Sequence, residues 1–423
     1  MKKLRFGLAF LGAAALLLIA GGTPQAFHSG GVAECGGCHS MHSAPSGGSF
    51  LLVGTDPSST CLSCHMHAGD TGPSSYHVAT ADIDMPAGVP PLQRGPGGDF
   101  GWLRKSYTMT IRGTTSTEEG QTHGHNVVAV DTAFNVPDSN NTLSPGGAFP
   151  ASQLGCESCH DPHGRARRLT GGVYVNAIYT PGSSNAPIIG SGSYATSAEP
   201  GAGQAVGVYR LLRGLGDDSQ GVTFDGVAIA IAPSSYNRKE SSTQTRVAYG
   251  HSGDNTWGAW CGTCHEEMHT WSGANRHPVD ETLGSDVAAN YNAYVKSGDL
   301  TGSSASSFTS LVPFVENTGT ISTLQSHAKN DDTYLNGPAT SDRVSCLSCH
   351  RAHASGWPEA LRWNMEGEFI IYNSLFPGTD NGAPAQFARG RLAAETQAAY
   401  YDRPVTKFAS YQRVLCNKCH AKD

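Results

Sequence analysis

Outside six short motifs, this chain of 423 residues has no cysteine at all. A separate disulfide framework is thereby excluded. The chain also lacks any excess of positive charge, with 28 Lys and Arg against 35 Asp and Glu. Such a surface repels phosphate, so no nucleic-acid partner is expected. Beyond residue 26 no apolar run approaches the roughly 20 residues that cross a bilayer, which predicts no transmembrane anchor. Regular patterning is scarce as well. With 52 Gly and 8% aromatics, no long amphipathic helix or alternating sheet can be traced, and the chain reads as mostly irregular coil with short helices and a few short strands.

The start, Met1-Lys2-Lys3-Leu4-Arg5 followed by apolar Phe6 to Ala20, has the basic and apolar regions of a secretory signal peptide, and the apolar part is short for a span. Residues 1–26 are assigned to that signal, with cleavage after Ala26, and residues 27–423 to a single exported unit. Losing Lys2, Lys3 and Arg5 leaves 25 basic residues against 35 acidic ones.

What the chain does have is C-x-x-C-H, six times: Cys35/Cys38/His39, Cys61/Cys64/His65, Cys156/Cys159/His160, Cys261/Cys264/His265, Cys346/Cys349/His350 and Cys416/Cys419/His420. Two thiols three residues apart on one helical turn meet the two vinyl groups of a porphyrin edge, and the adjoining His falls under the iron. This composition yields roughly 0.01 such motifs by chance. A zinc ribbon pairs two C-x-x-C units per metal and needs no His after each. A disulfide framework would not fix His at one offset six times. The motifs therefore imply six covalent c-type haems.

The motifs begin 26, 95, 105, 85 and 70 residues apart, so no simple tandem period is visible. Helices are expected at the motifs and near Asp286 to Lys296 and Leu392 to Tyr401, strands around Lys105 to Arg112 and Val222 to Ile231. Gly-, Ser-, Ala- and Pro-rich tracts such as Pro181 to Gly203 lie between motifs. The reading adopted is that porphyrins supply the apolar core and the chain wraps them as loops, one unit organised around a continuous haem chain.

An electron-transfer haem takes a second axial ligand, whereas a catalytic haem keeps that position open. Eighteen His minus six leave twelve, enough for six bis-His irons. Three candidates share a spacing: His42, His163 and His353 each follow the motif His by three residues. On one helical turn both imidazoles project alike, so the second must serve another haem. His125, His277 and His327 lie between motifs, placed to swing in as ligands, and His28 lies near the mature start. Which of these serves which iron stays open. The first motif starts nine residues into the mature chain and the last ends three residues before its end. If haems follow chain order, both ends of the array reach the surface, and a head-to-tail contact that does not close makes a filament.

Four stretches, Phe27 to Cys35, His67 to His77, Arg351 to Gly356 and Cys416 to Asp423, resemble the hexahaem filament-forming c-type cytochromes, and the resemblance spans essentially the whole mature chain. It implies a secreted polymer with bis-His haems alternating between parallel and T-shaped pairs. Such a polymer passes electrons from periplasmic and outer-membrane cytochromes to extracellular acceptors such as Fe(III) oxides or electrodes. It also implies that His42 ligates the haem of Cys346 and Cys349 in the neighbouring protomer. The loop Tyr179 to Gly203 and His251 depart from that pattern. The competing expectations are a monomeric electron shuttle and a periplasmic multihaem reductase; the latter needs one open iron and nearby acid-base groups. No motif is altered in the way that marks many such catalytic haems, and the chain is read as an electron-transfer protein rather than an enzyme.

Overall fold

The computed structural model describes residues 35–40, 42, 44–45, 49–66, 75–176, 186, 188–270 and 277–420. The signal segment and His28 lie outside them. Among these residues the longest helix is Gly284–Ala293, and the longest strands are the five-residue Tyr107–Ile111 and Thr114–Glu118, paired antiparallel from Tyr107 opposite Glu118 to Ile111 opposite Thr114. No helix among them is long and apolar enough to cross a membrane.

Each element is short for a local reason. Cys156–Cys159 and Cys346–Cys349 are single turns capped by the third motif residue: the Ser158 hydroxyl accepts from the Gly155 amide and the Ser348 hydroxyl from the Ser345 amide. The following His leaves helical space, at φ −111°, ψ 140° for His160 and φ −107°, ψ 157° for His350. Two even-numbered motifs end longer helices, Pro57–His65 and Trp257–Gly262, which start at Asp56 and Thr256, each five residues before the first Cys. Asp56 accepts from the Ser59 amide and Thr256 from the Ala259 amide.

The expected strand over 105–112 forms as Tyr107–Ile111, while that over 222–231 is interrupted at Asp225-Gly226 and survives as Val222–Thr223 and Ile229–Ile231. The expected helices form as Gly284–Ala293 and Ala393–Ala399.

Protein side chains build three apolar clusters of their own. The largest gathers Phe100, Trp102, Tyr291, Trp357, Ile370 and Tyr400, with Cys349, Cys416 and Cys419 packed against it. A second centres on Tyr209, Leu212, Tyr249 and Trp257 beside Cys159, and a third on Ile229, Ile231 and Leu324. Most of these residues sit in helices and strands of only a few residues, too short for a 2.0- or 3.6-residue period to betray burial. The cysteines on the cluster surfaces place the haem-attachment positions against this core.

Candidate haem centres

The six cysteine pairs lie in chain order. Cys38 has its thiol pKa raised by burial and next by Cys64, which joins the first motif to the second. Cys61 is raised by a hydrogen bond with Cys156, joining the second to the third. Burial, and next the neighbouring Cys264, push Cys159 up to about 12, and a hydrogen bond with Cys346 raises Cys261. Burial also pushes Cys349 up to about 12, with Cys419 and Cys416 beside it. Motifs up to 105 residues apart in sequence thus become successive neighbours.

Five of the six motif imidazoles are oriented by main chain. The Nδ1–H of His39 donates to the Phe50 carbonyl (2.8 Å), His65 to Tyr76 (2.9 Å), His160 to Arg210 (2.8 Å), His265 to Pro145 (2.8 Å) and His350 to Glu359 (2.6 Å). Such a bond fixes the tautomer and leaves Nε2 as the free donor, which is how metal-bound His is held. His125 does the same toward the Ala352 carbonyl at 2.8 Å. Burial lowers His125 to about 4 and His353 to about 3, so both rings are neutral at pH 7, the ligating form.

Four imidazole pairs face each other across a regular gap: His39 and His163 with ring centres 6.4 Å apart, His160 and His353 at 6.3 Å, His125 and His265 at 6.0 Å, and His277 and His420 at 6.3 Å. Two metal–nitrogen bonds of about 2 Å plus two ring radii of about 1.1 Å give roughly 6.2 Å, the spacing of imidazoles on opposite sides of one iron. Each pair joins a motif His to a sequence-selected candidate. The second His of a C-x-x-C-H-x-x-H segment never pairs with its own motif. Among the described residues no three Cys, His, Asp or Glu side chains converge on one point, so the donors are arranged as facing pairs, unlike a zinc ribbon.

The odd-numbered motifs share a local backbone. His39, His160 and His350 each form a β-bridge to a leucine, Leu52, Leu212 and Leu361. Each leucine follows two non-Gly residues at positive φ: Phe50 and Leu51 (62°, 56°), Arg210 and Leu211 (53°, 52°), Glu359 and Ala360 (55°, 54°). The first residue of each doublet supplies the carbonyl that receives the motif His. Two consecutive left-handed residues cost about 1–2 kcal/mol each, so their recurrence at three ligand-holding turns marks them as functional. After the leucine, Arg213 donates from Nε to the Glu157 carbonyl (2.6 Å) and Arg362 to the Leu347 carbonyl (2.7 Å), both at the second motif position. The first motif has Val53 there. The sequence hides these acceptors because main-chain carbonyls carry no side-chain signature.

Of the remaining candidates, His42 is exposed, with none of the four facing pairs including it. His327 sits elsewhere: its Nδ1 contacts Glu316 Oε2 at 2.5 Å and its ring stacks on Tyr334 at 4.0 Å. His251, buried, contacts the Asn317 side chain through Nε2 at 2.9 Å.

No family model matches the chain. It is, however, 48% identical over 437 aligned residues to the C-type cytochrome OmcS of Geobacter sulfurreducens, covering 97% of this chain and 98% of that one. The chain belongs to the OmcS family of c-type cytochromes. Two solved structures agree. One is the cryo-EM structure of OmcS nanowires from Geobacter sulfurreducens, at TM-score 0.84 and 47% identity. The other is the Outer Membrane Cytochrome S filament from the same organism, at 0.84 and 48%. Each covers 94% of this chain and 100% of the other. As in any OmcS-type cytochrome, the paired cysteines are attachment points for covalent haem, which supplies one-electron chemistry when bound. The residues fit that group: pairs of thiols on one turn, imidazoles with Nε2 freed by a carbonyl at Nδ1, and ring gaps that accept one iron. The protein's own part is to fix ring orientation, keep the imidazoles neutral and hold successive attachment points side by side.

Proposed function

We propose that this protein is the subunit of an extracellular filament that conducts electrons through six bis-His haems per protomer. The observation that carries this reading is a ligand offset of two haems. Among the odd motifs, the third supplies His163 opposite His39 of the first, and the fifth supplies His353 opposite His160 of the third. Among the even ones, the His upstream of motif three (His125) faces motif four, and that upstream of motif five (His277) faces motif six.

Continued, the offset completes both unfilled positions. The fifth haem needs the second His of a seventh motif, and the first motif of the next protomer provides it as His42. The second haem needs the His upstream of motif one, which is His28. Twelve ligands are then accounted for, no iron stays open for a reductase, and His327 is left out. A ligand that must come from a second copy makes association part of haem binding, and an unclosed head-to-tail contact propagates. The filament membership of the OmcS relatives supports this assembly. Export through the periplasm and delivery to Fe(III) oxides or electrodes follow from the same reading, with periplasmic and outer-membrane cytochromes as donors.

His42→Ala tests it. Purified with its haems, this variant is expected to form few or no filaments and to show one of six haems high-spin. Ordinary filaments with six low-spin haems would sink the assignment.

A further inference from the structure

Between His125 and the third motif the chain makes a turn that supplies no ligand and no haem-bonding thiol. Asp138 Oδ1 accepts from the amides of Asn140 (2.7 Å) and Asn141 (3.2 Å), and its Oδ2 accepts from the Asn141 carboxamide (3.1 Å). The turn is pinned on both sides. Upstream, the Ser139 hydroxyl donates to Gln121 Oε1 (2.5 Å) and the Asn126 carboxamide to Asp138 Oδ2 (3.2 Å). Downstream, the Ala151 amide donates to the Thr142 carbonyl (3.0 Å) and the Ser144 amide to the Phe149 carbonyl (2.7 Å). Residues 139–143, at the tip, are all exposed.

Asn140-Asn141-Thr142, in this tip, is the one Asn-x-Ser/Thr sequence of the whole chain, and Asp138 precedes it by two residues. In an exported protein that sequence is the acceptor for an N-linked sugar, and it can be used only on a surface loop where the carboxamide and the hydroxyl two residues on are both within reach of a transferase. Both groups are within reach here. Among the described residues neither the Asn140 carboxamide nor the Thr142 hydroxyl has a hydrogen-bond partner. The buried Asn126 and Asn237, by contrast, spend their carboxamides on the Gln121 carbonyl (2.8 Å) and on Gln93 Oε1 (2.5 Å). Val136 and Leu143, flanking the turn in sequence, are 58% and 48% exposed, apolar surface that a hydrophilic substituent would cover.

We infer that Asn140 is an N-glycosylation site, modified after export by an oligosaccharide carried on a lipid pyrophosphate. The Asn140 carboxamide nitrogen attacks the anomeric carbon of the first sugar. An N–C bond forms, the bond from that carbon to the pyrophosphate oxygen breaks with its electron pair going to the oxygen, and Nδ2 gives up one proton. No oxidation state changes, so the haems take no part. The site's place in the fold decides what the sugar covers. The Ser144 hydroxyl, two residues past Thr142, donates to the Cys264 carbonyl (2.5 Å), and the Pro145 carbonyl receives the imidazole of His265. The sugar therefore stands on the exposed tip of the loop that reaches from His125 to the fourth motif. This inference needs export alone and is independent of filament assembly.

Peptide mapping by mass spectrometry tests it, on haem-loaded protein recovered from the organism that makes it. The peptide spanning Asn140 is expected to carry the added mass of whole sugar residues, located on Asn140 by fragmentation. Thr142→Ser, which keeps the hydroxyl, is expected to keep the sugar, and Thr142→Ala, which leaves Asn140 in place, to lose it. An unchanged haem spectrum in both variants separates that loss from misfolding. The Asn140 peptide at its bare mass in the unaltered chain overturns the proposal, and this result stands even where a variant fails to fold. A sugar retained in Thr142→Ala or in Asn140→Gln overturns it as well.

Discussion

Around the fifth motif the turn Pro358–Ala360 is packed on Gly120–His123, and Arg362 ties the following strand to the carbonyls of Leu347, His350 and Ser310. Around the first motif the equivalent turn is open to solvent and Val53 replaces the arginine. Both nevertheless have the same bridge from motif His to leucine and the same left-handed doublet. The ligand-holding conformation is therefore set by local hydrogen bonds, while burial and arginine clamps are added where a position is internal. The first motif keeps the first layer without the second.

The largest effect on this comparison is expected from Gly98→Ala. A Cβ at Gly98 would stand 1.8 Å from the Ala354 carbonyl oxygen, on backbone at φ +90°, so the variant must break the bridge that seats the fifth motif's tail. A loss of more than about 4 kcal/mol in thermal unfolding of the haem-loaded protein is expected; a near-wild-type melt would show that the tail is not needed for the internal cover.

Arg362→Ala should come next. It removes a 3%-exposed guanidinium and strands three carbonyls, for about 3 kcal/mol. Its counterpart Arg213→Ala touches only the Glu157 and Asp218 carbonyls from a half-buried position, for about 1–2 kcal/mol. Equal denaturation midpoints would contradict the grading of the two clamps. The smallest effect is a gain: Val53→Arg supplies the first motif with the clamp it lacks and is expected to add about 0.5–1 kcal/mol, read as slower loss of the first haem's visible spectrum in denaturant.

Much of this was legible in the residue string. The six motifs and the rule that a second His three residues on must serve a different haem both came from spacing. In the structure the ring of His163 lies opposite that of His39, and that of His353 opposite that of His160. The repeat itself was not legible. The bridging leucine falls at Leu52, Leu212 and Leu361, following motif His residues at 39, 160 and 350, so insertions of very different length separate two halves of one structural unit and erase any period. His327 illustrates a second limit, since proximity in sequence to Cys346 said nothing of the Glu316 carboxylate and Tyr334 ring that hold it. The apolar clusters escaped because elements this short give burial no rhythm to follow.

The acceptors that hold the imidazoles belong to Phe50, Tyr76, Pro145, Arg210, Ala352 and Glu359, six different residue types presenting one identical group. A carbonyl cannot titrate, so an electron arriving at the adjacent metal meets no proton waiting to follow it through that bond. Nor can a carbonyl be lost by point substitution. A side chain at one of these positions can therefore change without removing the group that orients the ring, and acidity leaves that group in place.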